Sequence, residues 1–146
     1  MRVSAVRGLA LATLLTVLAL TLGACGNSIA SGTLPSLTTP ITETFSGSLT
    51  QGTSVSSQIT VTANAPLTIS LTDVEPLTTM GLGVSLSTWD GSLCGTPVIV
   101  QNPNSRMGAT ALTGTASAGT YCLTVYDSGN LPSDWTVTYT VQAVHY

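Results

Sequence analysis

From residue 42 onward one pattern recurs: short runs in which every second residue is apolar, separated by turn-forming residues. In "PLTISLT" (66–72), Leu67, Ile69 and Leu71 share one parity, and Thr68, Ser70 and Thr72 the other. The same alternation places Val55, Ile59 and Val61 together, then Leu82, Val84 and Leu86, then Tyr121, Leu123 and Val125. A final run groups Trp135, Val137, Tyr139 and Val141. Successive side chains of a strand point to opposite faces, so this alternation specifies ribbons buried on one face only. No helical period competes with it after residue 25.

"ETFSGSL", "VIVQN" and "ATALTGTA" read as three weaker strands, which brings the expected total to about eight. Between the strands lie Gln51-Gly52, Asn64-Ala65-Pro66, Asp90-Gly91, Asn102-Pro103-Asn104, Ala118-Gly119 and Ser128-Gly129-Asn130. Short strands at such spacing predict an all-β, antiparallel β-sandwich, and a jelly-roll-like arrangement is the preferred one. Its outer faces are coated with hydroxyls rather than charges. From Cys25 onward, Ser and Thr make up 39 of 122 residues, and one Arg stands against six acids, a net charge of −5 with His neutral. Binding a phosphate backbone requires clustered Lys and Arg, so nucleic acid is not a partner.

The first 24 residues are of another kind. Arg2 and Arg7 precede the fourteen uncharged residues "LALATLLTVLALTL", which are too few for a spanning helix of roughly 20 apolar residues. A basic head and a short apolar stretch make a secretory signal, helical in its apolar part. Its end, "LGAC", resembles the lipobox of bacterial lipoproteins, although Gly23 stands where Ala or Ser is usual. The resemblance implies cleavage after Ala24 and attachment of diacylglyceryl to Cys25. Two acyl chains anchor stably where one is marginal, at ~0.8 kcal/mol per buried methylene. Gly26 after the cysteine implies the outer membrane in a diderm bacterium, and otherwise the cell surface. The expected organisation is a signal at 1–24, a lipidated Cys25 with a polar, Pro-punctuated tether to 41, and the sandwich at 42–146.

Three cysteines leave one unpaired. With Cys25 committed to lipid, Cys94 and Cys122 are expected to pair in the oxidising exterior. Cys122 has the opposite parity to Tyr121 and Leu123, so the bond should staple the outer sheet surface to the chain after Trp89 rather than join the two sheets.

"FSGSLTQGTSVSSQITVTANAPLTISLT", "LGVSLSTWDGSLC" and "SAGTYCLTVYDSGNLPSDWTVTYTVQ" resemble the bacterial pre-peptidase C-terminal domain. The shared features are an early aromatic-led strand (Phe45), a Gly119–Tyr121 "GxY" turn and a closing Tyr139-Thr140. The resemblance implies a β-sandwich that accompanies exported proteins as an accessory. No catalytic domain accompanies it in this chain, which leaves the usual accessory role unassigned.

The ligand inventory argues against catalysis. The single histidine, His145, is expected in an exposed tail, and a catalytic triad needs a base oriented by a buried acid. One histidine and two oxidised cysteines do not make a zinc site. Asp127 with its polar turn, and Asp73 with Glu75, offer oxygens of the kind calcium takes. Neither forms a loop of regularly spaced acids, and Asp127 reads as a turn residue that accepts backbone hydrogen bonds. No metal and no cofactor is assigned. Trp135, Tyr139 and Tyr121 are expected in the core. Trp89, which breaks the parity of its strand, and Tyr126, which points opposite to Val125, form the candidate binding surface, with a capping role for Trp89 as the alternative. The expected function is a lipid-anchored, non-catalytic binding or adhesion module for an envelope protein or polysaccharide. The alternative is a structural or assembly subunit without a small ligand. Replacing Cys25 with Ser is expected to move the protein from the membrane fraction to the soluble fraction; unchanged fractionation would contradict lipidation.

Overall fold

The computed structural model describes residues 39–146. The signal segment, Cys25 and all but the last residues of the tether lie outside the described residues. Eight strands follow one another: β1 (Ile41–Leu49), β2 (Ser54–Val61), β3 (Ala65–Glu75), β4 (Gly81–Trp89), β5 (Cys94–Arg106), β6 (Ala109–Ala116), β7 (Gly119–Tyr126) and β8 (Val137–His145). They form two four-stranded sheets, ordered β1-β8-β3-β6 and β2-β7-β4-β5, and every pairing is antiparallel. Consecutive strands alternate between the sheets through most of the chain, which is the jelly-roll arrangement of two interlocked Greek keys.

The alternation in sequence becomes the sandwich interior. Ile69 and Leu71 of β3, Ile59 of β2, Leu82 and Val84 of β4, and Val137 and Val141 of β8 are fully enclosed. Each buried Leu or Ile contributes ~1.5–3 kcal/mol relative to exposure. Their neighbours of opposite parity carry hydroxyls, and two cross-strand pairs hydrogen-bond on the outer faces: Ser46 with Thr140 at 3.1 Å and Ser56 with Thr124 at 2.8 Å.

β4 departs from this rule because both of its faces are covered. Its outward residues Gly81, Gly83, Ser85 and Ser87 are all small and buried. The Tyr126 ring lies directly over Gly83, where any Cβ would collide with it. Beside Ser87, the register partner of Cys122, runs the Cys94–Cys122 disulfide. Cys94 opens β5 opposite Trp89, and the bond reaches across β4 within one sheet, with a Cα–Cα distance of 5.5 Å. It thus ties β5 to β7 on the outer surface and does not join the sheets.

The two ends of the sandwich differ. At the entry end, where β1 begins, lie the turns at 62–64, 90–93 and 117–118 together with the C-terminus; the Thr62 N–H donates to the Tyr146 carbonyl at 2.8 Å. At the distal end lie the connections 50–53, 76–80, 107–108 and 127–136. A nine-residue strand separates the ends by ~30 Å. The distal connections are held by Asp127. Its Oδ2 accepts the Gly52 N–H at 2.9 Å, and its Oδ1 accepts those of Gly129, Asn130 and Leu131 at 2.9, 2.9 and 3.1 Å. Partial burial pushes this carboxyl's pKa up, but the four backbone donors outweigh it and leave the group below its ordinary value of 3.8.

Two sequence expectations are corrected. His145 is the last residue of β8, pairs with Ile41 and is buried, because the closing strand keeps its inward parity up to the penultimate residue of the chain. Trp135 is 43% exposed, because β8 starts only at Val137 and the tryptophan belongs to a turn in which its N–H bonds the Pro132 carbonyl.

Removing the disulfide by the double change Cys94→Ala and Cys122→Ala is expected to cost about 3.6 kcal/mol on the loop-entropy estimate. Denaturant unfolding measures it, and a loss under about 1 kcal/mol would contradict a tie that restrains the unfolded chain. Asp127 has a depressed folded pKa, so its contribution is present above the unfolded value of 3.8 and lost as pH falls through the lower folded value. Asp127→Asn should therefore melt lower at neutral pH and show a flatter acid limb; an unchanged acid limb would contradict the clasp.

Candidate functional site

Trp89 and Tyr126 belong to one sheet but stand at opposite ends of it. Tyr126 pairs with Gly83 near the distal end of β4, and Trp89 closes β4 at the entry end. Six residue steps along the strand separate these points, ~20 Å. Both side chains are partly buried: Tyr126 lies flat on Gly83, and Trp89 stands beside the disulfide opposite Cys94. The Asp90 turn next to Trp89 is self-contained. Asp90 Oδ1 accepts the N–H of Leu93 at 2.7 Å and of Ser92 at 2.8 Å, and these bonds hold its pKa below the ordinary value.

The concave apolar feature lies elsewhere. Between the edge strands β5 and β6 the sheets part, leaving a cleft of about 260 Å³ that runs from the surface to the core. Its floor contains Leu67, Ile69, Leu86 and Leu112, and its wall at the entry end is Tyr121. Tyr121 is half-buried and donates its hydroxyl to the Ser117 carbonyl at 2.8 Å, which holds the ring at the cleft's end. On the β6 side the lining is Thr113, Gly114 and Thr115, and a Cβ added at Gly114 would meet nothing within 4 Å.

On the β5 side the lining is Ile99 and Val100, 53% and 40% exposed, with Val98, 46% exposed, next to them. The strand register skips Ile99, so a bulge sits in the middle of this apolar run, and Pro97 and Pro103 flank it. Bulges and prolines blunt an edge against added strands. The apolar side chains are therefore offered as a packing surface and not as a ladder. No charged residue occurs between Asp90 and Arg106.

Sequence reasoning misses this site because "VIVQN" reads only as a weak strand. Its signal was the lack of alternation itself: three consecutive apolar residues cannot all face one core.

At the entry end, His145 Nε2 lies 3.1 Å from Glu43 Oε2, linking β8 to β1, while His145 Nδ1 is buried without a hydrogen-bond partner. The only histidine is thus engaged inside the sandwich. Among the described residues, no three of His, Cys, Asp and Glu cluster as a metal site would require. Asp127 spends its carboxylate on backbone donors, and Asp73 and Glu75 occupy the distal stretch of β3.

No family model and no curated protein sequence matches the chain. Among solved structures, the fold is similar to that of PliG from Aeromonas hydrophila, a periplasmic lysozyme inhibitor of g-type lysozyme. The TM-score is 0.52 at 15% sequence identity, over 71% of this chain and 86% of that one. At that identity the likeness is one of fold: the two chains share a β-rich architecture, and the neighbour that carries it is an inhibitor and not an enzyme.

Proposed function

We propose that this chain is an exported lipoprotein, anchored through Cys25, whose sandwich is a non-catalytic binding module for a protein of the cell envelope. The observation that carries the reading is the cleft between β5 and β6, apolar, open to the core and lined in part by exposed Ile99 and Val100, with exposed Val98 next to them. A cleft of about 260 Å³ suits a single apolar side chain from a partner. Seating one contributes ~1.5–3 kcal/mol, and such a central anchor dominates typical protein interfaces.

The anchor rests on the basic head, the short apolar stretch and the lipobox-like "LGAC". The resemblance to the pre-peptidase C-terminal domain supports an accessory role outside the cytoplasm. PliG, periplasmic by its description and an inhibitor of another protein, supports export and a protein partner. A lipid on Cys25 would hold the domain by its entry end, where β1 starts, in the outer membrane of a diderm or on the surface of a monoderm. The exposed Val98–Val100 run also favours a second reading, a purely structural subunit of an envelope assembly. In that case the contact would spread over the patch and not depend on the cleft.

The two readings separate on Gly114→Leu, which adds bulk to the cleft lining at a position where a Cβ meets nothing within 4 Å and leaves Val98, Ile99 and Val100 unchanged. A photo-crosslinking residue placed at Thr113 in living cells is expected to give a discrete adduct with an envelope protein. Gly114→Leu should cut its yield about ten-fold, the loss of ~1.4 kcal/mol. An adduct that survives Gly114→Leu would favour the structural subunit, and the absence of any adduct would overturn the binding reading.

A further inference from the structure

A second cleft opens at the distal end, remote from the seam between β5 and β6. It has a volume of about 520 Å³, and Thr79, Gly81, Asn104, Arg106, Ser128 and Asn130 contribute to its lining. Arg106 is the single cation among the described residues, on a domain with six acids, yet no acid lines this cleft. Asp127, which precedes the lining residue Ser128, spends its oxygens on the N–H groups of Gly52, Gly129, Asn130 and Leu131.

The cleft is also held in shape. Arg106 Nη1 donates to the Thr79 carbonyl at 2.8 Å, which fixes the guanidinium and leaves other N–H donors of its fork. The Asn130 amide nitrogen donates to the Gly81 carbonyl at 3.1 Å and to Ser128 Oγ at 3.0 Å, and its carboxamide oxygen is left to accept. The Asn104 carboxamide lies against Gly81, in the space any Cβ there would need.

We infer that this distal cleft binds a carboxylated sugar, with the carboxylate on Arg106 and the hydroxyls or amides on Asn104, Ser128 and Asn130. A planar guanidinium matches a carboxylate bidentately. One cation on a domain of net charge −5 matches one carboxylate on an otherwise neutral molecule, because a polyanion would meet the repulsion of the six acids. The hydroxyl and amide groups around Arg106, with Met80 and Pro103 beside them, suit the polar edge and the apolar face of a sugar ring. The site is separate from the protein-binding cleft and stands or falls independently of it.

The test titrates the ¹⁵N-labelled protein, carrying the intact disulfide, with N-acetylmuramic acid and, separately, with N-acetylglucosamine. The second sugar has the same ring without the lactyl carboxylate. The acid is expected to shift the signals of Gly81, Asn104, Arg106 and Asn130 saturably, with an affinity at least ten-fold above that of the neutral sugar. Arg106→Gln should erase this difference. So should Thr79→Glu, which places a competing carboxylate beside the guanidinium on an exposed residue; melting temperatures report whether each variant keeps the fold. No saturable shift, equal response to the two sugars, or an unchanged preference in folded variants would overturn the proposal. So would equal binding of an N-acetylated dipeptide, which carries a carboxylate but no sugar.

Discussion

The packing of two alternating apolar faces against each other is the constraint on which the rest of the molecule depends. Ile69, Leu71, Val137 and Val141 from one sheet meet Ile59, Leu82, Val84 and Leu123 from the other, all essentially inaccessible to solvent. The domain has no lysine and one arginine, so charge contributes little to its organisation. Hydroxyls coat the outside, and sheet identity is set by which parity of each strand is apolar. A one-residue slip of any strand would turn its Leu, Ile and Val outward, so register and topology are specified together. Where the core does not reach, local devices take over: the disulfide across the outside of β4, and the Asp127 carboxylate that gathers the distal connections.

Much of this fold could be read from the sequence. β2, β3, β4, β7 and β8 each announce themselves by alternation over at least six residues, and the turn residues between them leave little freedom in where strands end. The strand order follows from jelly-roll topology and not from any local signal. What local patterning could not supply was the context of residues at strand margins. Trp135 has core parity by extrapolation, but a turn at Pro132 intervenes before β8 begins. His145 sits one residue from the C-terminus, and only the pairing of β8 with Ile41 of β1, over a hundred residues earlier, encloses it.

The candidate surface was harder to read, because a cleft is a property of two edges meeting. Trp89 breaks the parity of its strand and Tyr126 points opposite to Val125, but parity does not reveal that Gly83 leaves a seat for the Tyr126 ring or that ~20 Å of strand lies between the two aromatics. The apolar seam arises because β5 and β6, adjacent in sequence, are the edge strands of different sheets. A bulge at Ile99 and the flanking Pro97 and Pro103 shield this edge from strand addition, while its side chains remain available. The result is a stable core, an edge blunted against added strands and an open apolar slot beside it.

The central claim is that the seam between β5 and β6 is open in the isolated domain and covered in the cell envelope. Hydroxyl-radical footprinting of the purified domain and of the protein in intact envelopes measures this side chain by side chain. The account predicts strong modification of Ile99 and Val100 in the isolated domain and clear protection in the envelope, with Met107 and Trp135 at the distal end more reactive than the seam in that setting. Equal modification of the seam in both settings would contradict it.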